Sequence, residues 1–141
     1  MRLLAIDYGT KKSGIAISDP LKIIAQPLTT IFYDKNNFEF LLNEIKKIIE
    51  INKPIEKIIL GLPKNIDGTL SNNGKKVMQF KKYMEENNIN IEIELFDEKY
   101  STKNSLEVMK QMNLTIKKKK MKKDTIAAQK ILENYMLKFN N

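Results

Sequence analysis

The chain has no cysteine, no histidine and no tryptophan, and only five of its 141 residues are glycine and four proline. Without Cys there is no disulfide, no thiolate metal site and no cysteine nucleophile. Without His there is no Ser-His-Asp chemistry, no imidazole ligand and no base that ordinarily titrates near neutrality. Carboxylates, lysines, phenols and hydroxyls remain, so a bound metal must be held by oxygen, and hard oxygen ligands favour Mg²⁺ or Mn²⁺. Long apolar runs are missing as well. The opening Met1-Arg2-Leu3-Leu4-Ala5-Ile6-Asp7 reaches a carboxylate after four apolar residues, too few for a signal peptide or a membrane span. A cytoplasmic protein with no membrane partner is expected. With 42% hydrophobic and 30% charged residues, the composition is that of an ordinary globular chain, and its length suits one domain over residues 1–141.

What is abundant is lysine. The formal net charge is +8, and between Lys103 and Lys123 eight Lys face a single Glu, so most of the imbalance sits in one segment. Such a run is either a solvated surface stretch or a loop that contacts phosphates; the second reading suits a polyanionic partner.

Apolar spacing outlines the elements. Residues 2–6 and Gly14-Ile15-Ala16-Ile17-Ser18 read as a hairpin, followed by a strand from about Ala25 to Tyr33 in which Pro27 points to an edge or a strand start. Phe38, Leu41, Leu42, Ile45, Ile48 and Ile49 predict an amphipathic helix closed by Asn52-Lys53-Pro54. Ile58 to Leu62 is apolar throughout, as in a strand covered on both faces. A helix carrying Val77, Phe80 and Met84 follows, then a strand over Ile91 to Phe96. Ser101 or Thr102 is placed to cap a helix with Leu106 and Met109. The lysine-rich stretch then separates that helix from a last one beginning near Asp124, with Ala127, Ala128, Ile131, Leu132, Tyr135 and Phe139 on its buried stripe. The order β-β-β-α-β-α-β-α-α predicts an α/β fold with a mixed five-stranded sheet, three antiparallel strands and then parallel crossovers, flanked by helices.

Three acids stand where such a fold presents ligands. Asp7 ends the first strand and Glu98 follows the last; Asp124 precedes Ala127, Ala128 and Ile131 by three, four and seven residues, on the stripe that faces the sheet. Each has a plainer reading, Asp7 as a turn residue, Asp124 as a helix N-cap and Glu98 as a surface acid. Together they could converge on a pair of divalent ions roughly 3.5 to 4 Å apart, which activate water and stabilise the leaving oxygen of a phosphodiester. Gly9 permits a close phosphate approach and Thr10 can donate to it. The loop Gly61-Leu62-Pro63-Lys64-Asn65-Ile66-Asp67-Gly68-Thr69 is either a plain strand-to-helix connection or a substrate loop with donors at Lys64, Asn65 and Thr69.

Four segments together resemble the YqgF/RuvX family, nucleases of pre-16S rRNA by name and relatives of Holliday-junction resolvases. They are Ala5-Ile6-Asp7-Tyr8-Gly9-Thr10-Lys11 with Gly14-Ile15-Ala16, the Gly61 to Thr69 loop, Asp97-Glu98-Lys99-Tyr100-Ser101-Thr102, and Lys123-Asp124-Thr125-Ile126-Ala127-Ala128 leading to Ile131-Leu132-Glu133-Asn134-Tyr135. The resemblance implies a ribonuclease H-like fold and maturation of the 5′ end of 16S rRNA. It also implies catalysis through Mg²⁺ or Mn²⁺ held by Asp7, Glu98 and Asp124. The expected substrate contacts are Gly9, Thr10, Lys11, Lys64, Asn65, Asp97, Lys99, Ser101, Thr102 and the basic Lys117, Lys118, Lys119 and Lys120. Lys99 departs from the family's usual Arg, removing a planar bidentate fork. In the related resolvases the middle acid lies on the strand matching Ile58 to Leu62, which has none here, so the resemblance assigns that role to Glu98.

The implied partner is RNA, as pre-16S rRNA within a precursor of the small ribosomal subunit, or branched DNA. Alternatives are a Holliday-junction DNA resolvase and a non-catalytic rRNA-binding assembly factor. The Asp7 to Thr10 turn also looks like the first phosphate loop of actin-like ATPases, but those need two such domains. A single-site RNA substrate imposes no twofold symmetry, so a monomer is expected.

Overall fold

The computed structural model describes residues 1–64, 67–97 and 116–139; within the last stretch, side chains are described for residues 125–138. Its elements are β1 (Arg2–Asp7), β2 (Lys12–Ser18), β3 (Ala25–Phe32), α1 (Phe38–Asn52), β4 (Ile55–Leu62), α2 (Asn72–Glu86), β5 (Glu92–Asp97) and α3 (Ile116–Phe139). The strands form one sheet in the order β3-β2-β1-β4-β5. β1, β2 and β3 pair antiparallel, whereas β1, β4 and β5 run parallel. This is the mixed sheet that the spacing predicts. Pro27, which cannot donate to a ladder, lies on the edge strand β3 beside a break in register at Ile15 and Ala16.

Alternation along β1 sorts the core into two layers. Leu4 and Ile6 join Ile15, Ile17, Ile58 and Leu60 beneath α1 and α2, where Leu41, Ile45, Phe80 and Met84 are fully buried. Leu3 and Ala5 point to the opposite face, with Ala16, Ala25, Ile59 and the Ala128, Ile131, Leu132, Tyr135 and Met136 stripe of α3. Alanines on both partners let α3 lie close to the sheet.

The helix starts are capped as their sequences allow. Asn37 Oδ1 accepts from the Phe40 amide at 3.1 Å, and Ser71 Oγ accepts from the Gly74 amide at 3.0 Å. Ser71 also donates to the Pro63 carbonyl at 3.1 Å, so α2 begins against the exit of β4. Gly74 is required there, because a Cβ would stand 2.5 Å from the Pro63 carbonyl oxygen.

Two boundaries differ from the sequence expectation by three residues or more. β4 starts at Ile55, three residues early, because Ile55 is buried and Lys57 finds partners on the neighbouring strand and helix. α3 starts at Ile116, eight residues before Asp124. Lys117, Lys118, Lys119 and Lys120 therefore belong to a helix and not to a loop, and Asp124 lies inside that helix and not at an N-cap. Lysine and methionine are good helix formers, and no Gly or Pro interrupts residues 116–123, so nothing stops the helix from extending backwards. The helix expected around Leu106 and Met109 lies outside the described residues. Among those described, no helix is long and apolar enough to cross a membrane.

Candidate active site at the carboxyl edge of the sheet

β1, β4 and β5 are parallel, so their last residues, Asp7, Leu62 and Asp97, reach one edge. This is the edge at which open α/β sheets bind ligands. Asp7 follows Leu3 and Ala5 in the alternation and therefore belongs to the α3 face. Its neighbour on β2 is Gly14. On β4 the residue at the same level, one beyond the Ile6–Leu60 pair, is Gly61. Two positions flanking the half-buried Asp7 thus carry no side chain. The row continues from Gly14 to Thr30 on β3, whose Oγ1 is buried and has no hydrogen-bond partner among the described residues.

The turn after Asp7 is held from below. The Tyr33 hydroxyl donates to the Gly9 carbonyl and shares a 2.7 Å hydrogen bond with Ser13 Oγ, which is fully buried. The Tyr33 amide donates to the Lys11 carbonyl at 3.0 Å and the Asn36 amide to the Thr10 carbonyl at 2.8 Å. Tyr8, stacked on Phe80 in the core, donates to Asn36 Oδ1 at 3.1 Å. Burial pushes the Tyr8 phenol up to about 12 and raises the Tyr33 phenol still further beyond its ordinary range. The glycine at position 9 has a local cause: a Cβ there would meet the Lys12 carbonyl oxygen at 2.5 Å. The expectation that Gly9 serves an approaching phosphate is thus joined by a requirement of the turn itself.

The second loop leaves β4. Lys64 pairs with Leu70 in an isolated bridge, and Asp67 accepts from the Thr69 amide at 3.0 Å and from its hydroxyl at 2.7 Å. The Thr69 hydroxyl, and then its amide, hold the Asp67 carboxyl below its ordinary range. Thr69, expected as a donor to substrate, is engaged inside its own loop, whereas the Lys64 side chain is exposed at the edge.

The structure therefore brings Asp7, Gly9, Thr10 and Lys11 together in one turn and sets Lys64 and Asp97 at the ends of adjacent strands. Ile93 and Leu95 pack towards α1 and α2, so alternation places Asp97 on the face opposite Asp7. Asn65, Glu98, Lys99, Ser101 and Thr102 lie outside the described residues, as do the side chains of Lys117, Lys118, Lys119, Lys120 and Asp124. Among the described residues no three carboxylates gather in a way that could hold a metal ion. Sequence reasoning missed Tyr33, Ser13 and the flanking role of Gly14 and Gly61. The glycines were visible within quoted motifs, but only the ladder register shows what they flank.

α3 packs across the sheet face to which Asp7 belongs. Gln129 donates to the Ala25 carbonyl at 3.1 Å, and Met136 and Leu137 line a cavity with Ile23 and Ile24 at the far end of β1. The helix thus runs opposite to β1, and its earlier residues lead towards the edge that carries Asp7.

Comparison with known proteins agrees with this architecture. The model of the RuvX family, described as Holliday junction resolvase, matches residues 1–138. A protein of Clostridium botulinum strain Hall, named "Putative pre-16S rRNA nuclease", is 40% identical over 136 residues, covering 96% of each chain. Its namesake in Clostridium acetobutylicum is 38% identical, over 96% of this chain and 98% of that one. Among solved structures, the Fowlpox virus resolvase in complex with Holliday junction DNA superposes with a TM-score of 0.65 at 18% identity over the whole of both chains. T. thermophilus RuvC in complex with its Holliday junction substrate gives 0.58 at 11% identity, over 98% of this chain and 95% of that one. The fold is ribonuclease H-like, and the chain belongs to the RuvX (YqgF) family.

Proposed function

We propose that this chain is a cytoplasmic, divalent-metal-dependent nuclease that matures the 5′ end of pre-16S rRNA, acting as a monomeric single domain with Asp7, Glu98 and Asp124 as its metal ligands. The observation that carries the reading is at the carboxyl edge: a half-buried Asp7 whose two neighbouring strand positions, Gly14 and Gly61, carry no side chain. The three proposed carboxylates are an all-oxygen set, which suits a hard cation.

Helix and strand geometry support a place for Asp124 near Asp7. Ala128 packs in one cluster with the paired Ala5 and Ala16. From Ala128 back to position 124 is one helical turn, about 6 Å, and from Ala5 on to Asp7 is about 7 Å in the same direction. Glu98 follows Asp97, the last residue of β5, in the sequence.

Mg²⁺ or Mn²⁺ held by these acids would activate a water and stabilise the leaving oxygen of a phosphodiester. The chain's own residues then bind and orient the strand. The turn at Thr10 and Lys11, braced by Tyr33, offers a hydroxyl and a cation to a phosphate, and Lys64 offers a second cation from the neighbouring strand end. The lysines of the first turns of α3 add sequence-independent affinity for a polyanion.

The family's description as Holliday junction resolvase favours a second reading, in which the same centre cuts branched DNA. Purified protein is offered a pre-16S rRNA fragment and a four-way DNA junction, each with Mg²⁺ or Mn²⁺. Cutting of the rRNA precursor, lost in Asp7→Asn, is the expected result. Cutting of the junction alone reverses the order of the two readings, and binding of RNA without any cutting favours a non-catalytic assembly factor.

A further inference from the structure

Two aromatic side chains stand in water beside this edge. Phe32, the last residue of β3, is 66% exposed, and Phe40, in the first turns of α1, is 42% exposed. Phe38, Phe80 and Phe96 each pack against another ring, whereas Phe32 and Phe40 have no ring partner among the described residues. With Tyr33, Asp34 and Asn37 they line an open cavity of about 400 Å³, room enough for a nucleobase.

The cavity is continuous with the candidate active site. Its residues belong to the segment whose amides donate to the Thr10 and Lys11 carbonyls, and β3 lies two strand spacings, about 10 Å, from β1. Lys11 and Lys35 are exposed beside it, in a chain with a net charge of +8. Asp34 in the cavity wall is an acceptor for the N–H groups at a base edge. Asn37 spends its Oδ1 on capping α1, which leaves its amide nitrogen to donate.

Flat apolar rings flanked by lysines match one ligand chemistry, a base whose faces stack and whose phosphate is neutralised. In a duplex those faces are covered, so the ligand must be unpaired. We propose that Phe32 and Phe40 form a stacking site for an unpaired nucleotide of the RNA strand, within a few nucleotides of the phosphate presented to Asp7. This rests on reading the Asp7 edge as a nuclease centre. It adds a preference: the substrate carries a single-stranded flank, and the pocket at Phe32 and Phe40 selects it.

The test uses the full chain and an RNA hairpin with a single-stranded flank that carries 2-aminopurine, against the same hairpin with a blunt end. Binding is read in chelator, where no cutting occurs. Stacking quenches the probe, and Phe32→Ala and Phe40→Ala each weaken binding of the flanked RNA by about tenfold, with blunt-end binding unchanged and Phe32→Tyr close to wild type. Circular dichroism verifies that both alanine variants are folded, as expected for exposed positions. Unchanged affinity for flanked RNA in both variants, or equal losses on both hairpins, overturns the proposal. Because binding is read without cleavage, the two claims fail separately. A chain that stacks the flank but cuts nothing with metal added contradicts the nuclease reading, and one that cuts normally without quenching contradicts the stacking site.

Discussion

The Tyr33 hydroxyl donates to the Gly9 carbonyl, fastening the end of β3 to the turn that follows Asp7. Replacing it by Phe leaves Gly9 without that partner and strands the fully buried Ser13 hydroxyl. An unsatisfied buried polar group costs about 1 to 3 kcal/mol. Tyr33→Phe is expected to lower the melting temperature by roughly 3 °C per kcal/mol for a domain of this size and to slow cleavage by loosening the turn. A variant that melts and cuts like wild type would show the bond to be idle.

The two phenols make stability depend on pH at the alkaline end. Burial raises both above the ordinary value of 10.0, Tyr8 to about 12 and Tyr33 further. The folded state therefore holds these protons more tightly than the unfolded state does. The sign follows: their contribution is intact below pH 10, and stability falls as pH rises from there through the folded values. Ultraviolet titration of the folded protein should show two of its five tyrosines ionising late, together with a melting temperature that drops over the same range. Uniform ionisation of all the tyrosines near the ordinary value contradicts this.

Lys57 fastens α3 to the parallel half of the sheet. Its ammonium donates to Tyr135 Oη and to Glu94 Oε1, both at 3.0 Å, and lies 3.4 Å from Glu92. The Tyr135 hydroxyl and the Glu94 carboxylate together hold it above the usual lysine range. The side chain is only 19% exposed, so the group is better shielded than a surface pair. Lys57→Met, which keeps the stem and leaves Glu92 and Glu94 side by side without their shared cation, should destabilise by about 1 to 2 kcal/mol. Denaturant melts that superimpose on wild type would remove Lys57 from the account.

Much of the fold was legible because burial on both faces of a sheet leaves a plain record. Pro27 pointed to an edge or a strand start, of which the edge is found, and the apolar run Ile58 to Leu62 announced a strand covered by helices. The buried stripe of α3 was legible because Ala127, Ala128, Ile131 and Leu132 repeat at helical spacing. The start of α3 was not legible: Lys117 to Lys120 carry no apolar periodicity, and their helix is allowed by propensity without being announced by pattern. β4 was read short because Glu56 and Lys57 look like loop residues until Lys22, Glu94 and Tyr135 are seen around them. In the candidate site, motifs pointed to Asp7 but not to Tyr33, whose role depends on a turn 24 residues earlier.

The lysines at the start of α3 should act on affinity without sequence preference. Changing Lys117, Lys118, Lys119 and Lys120 together to Gln keeps good helix formers in place. Helix content by circular dichroism should hold, while the dependence of RNA affinity on salt becomes shallower, by about 0.7 in log–log slope for each single-strand phosphate that is no longer neutralised. An unchanged slope would mean that other cations of the chain neutralise the phosphates.

The most direct measurement is a metal-titrated cleavage assay on pre-16S rRNA precursor with wild type, Asp7→Asn, Glu98→Gln and Asp124→Asn. If the three acids share divalent cations, the wild type cuts only with Mg²⁺ or Mn²⁺, and each amide variant loses more than about a hundredfold in rate at any metal concentration. Cutting in the presence of chelator, or a variant at Asp7 or Asp124 that cuts as fast as wild type, contradicts the account.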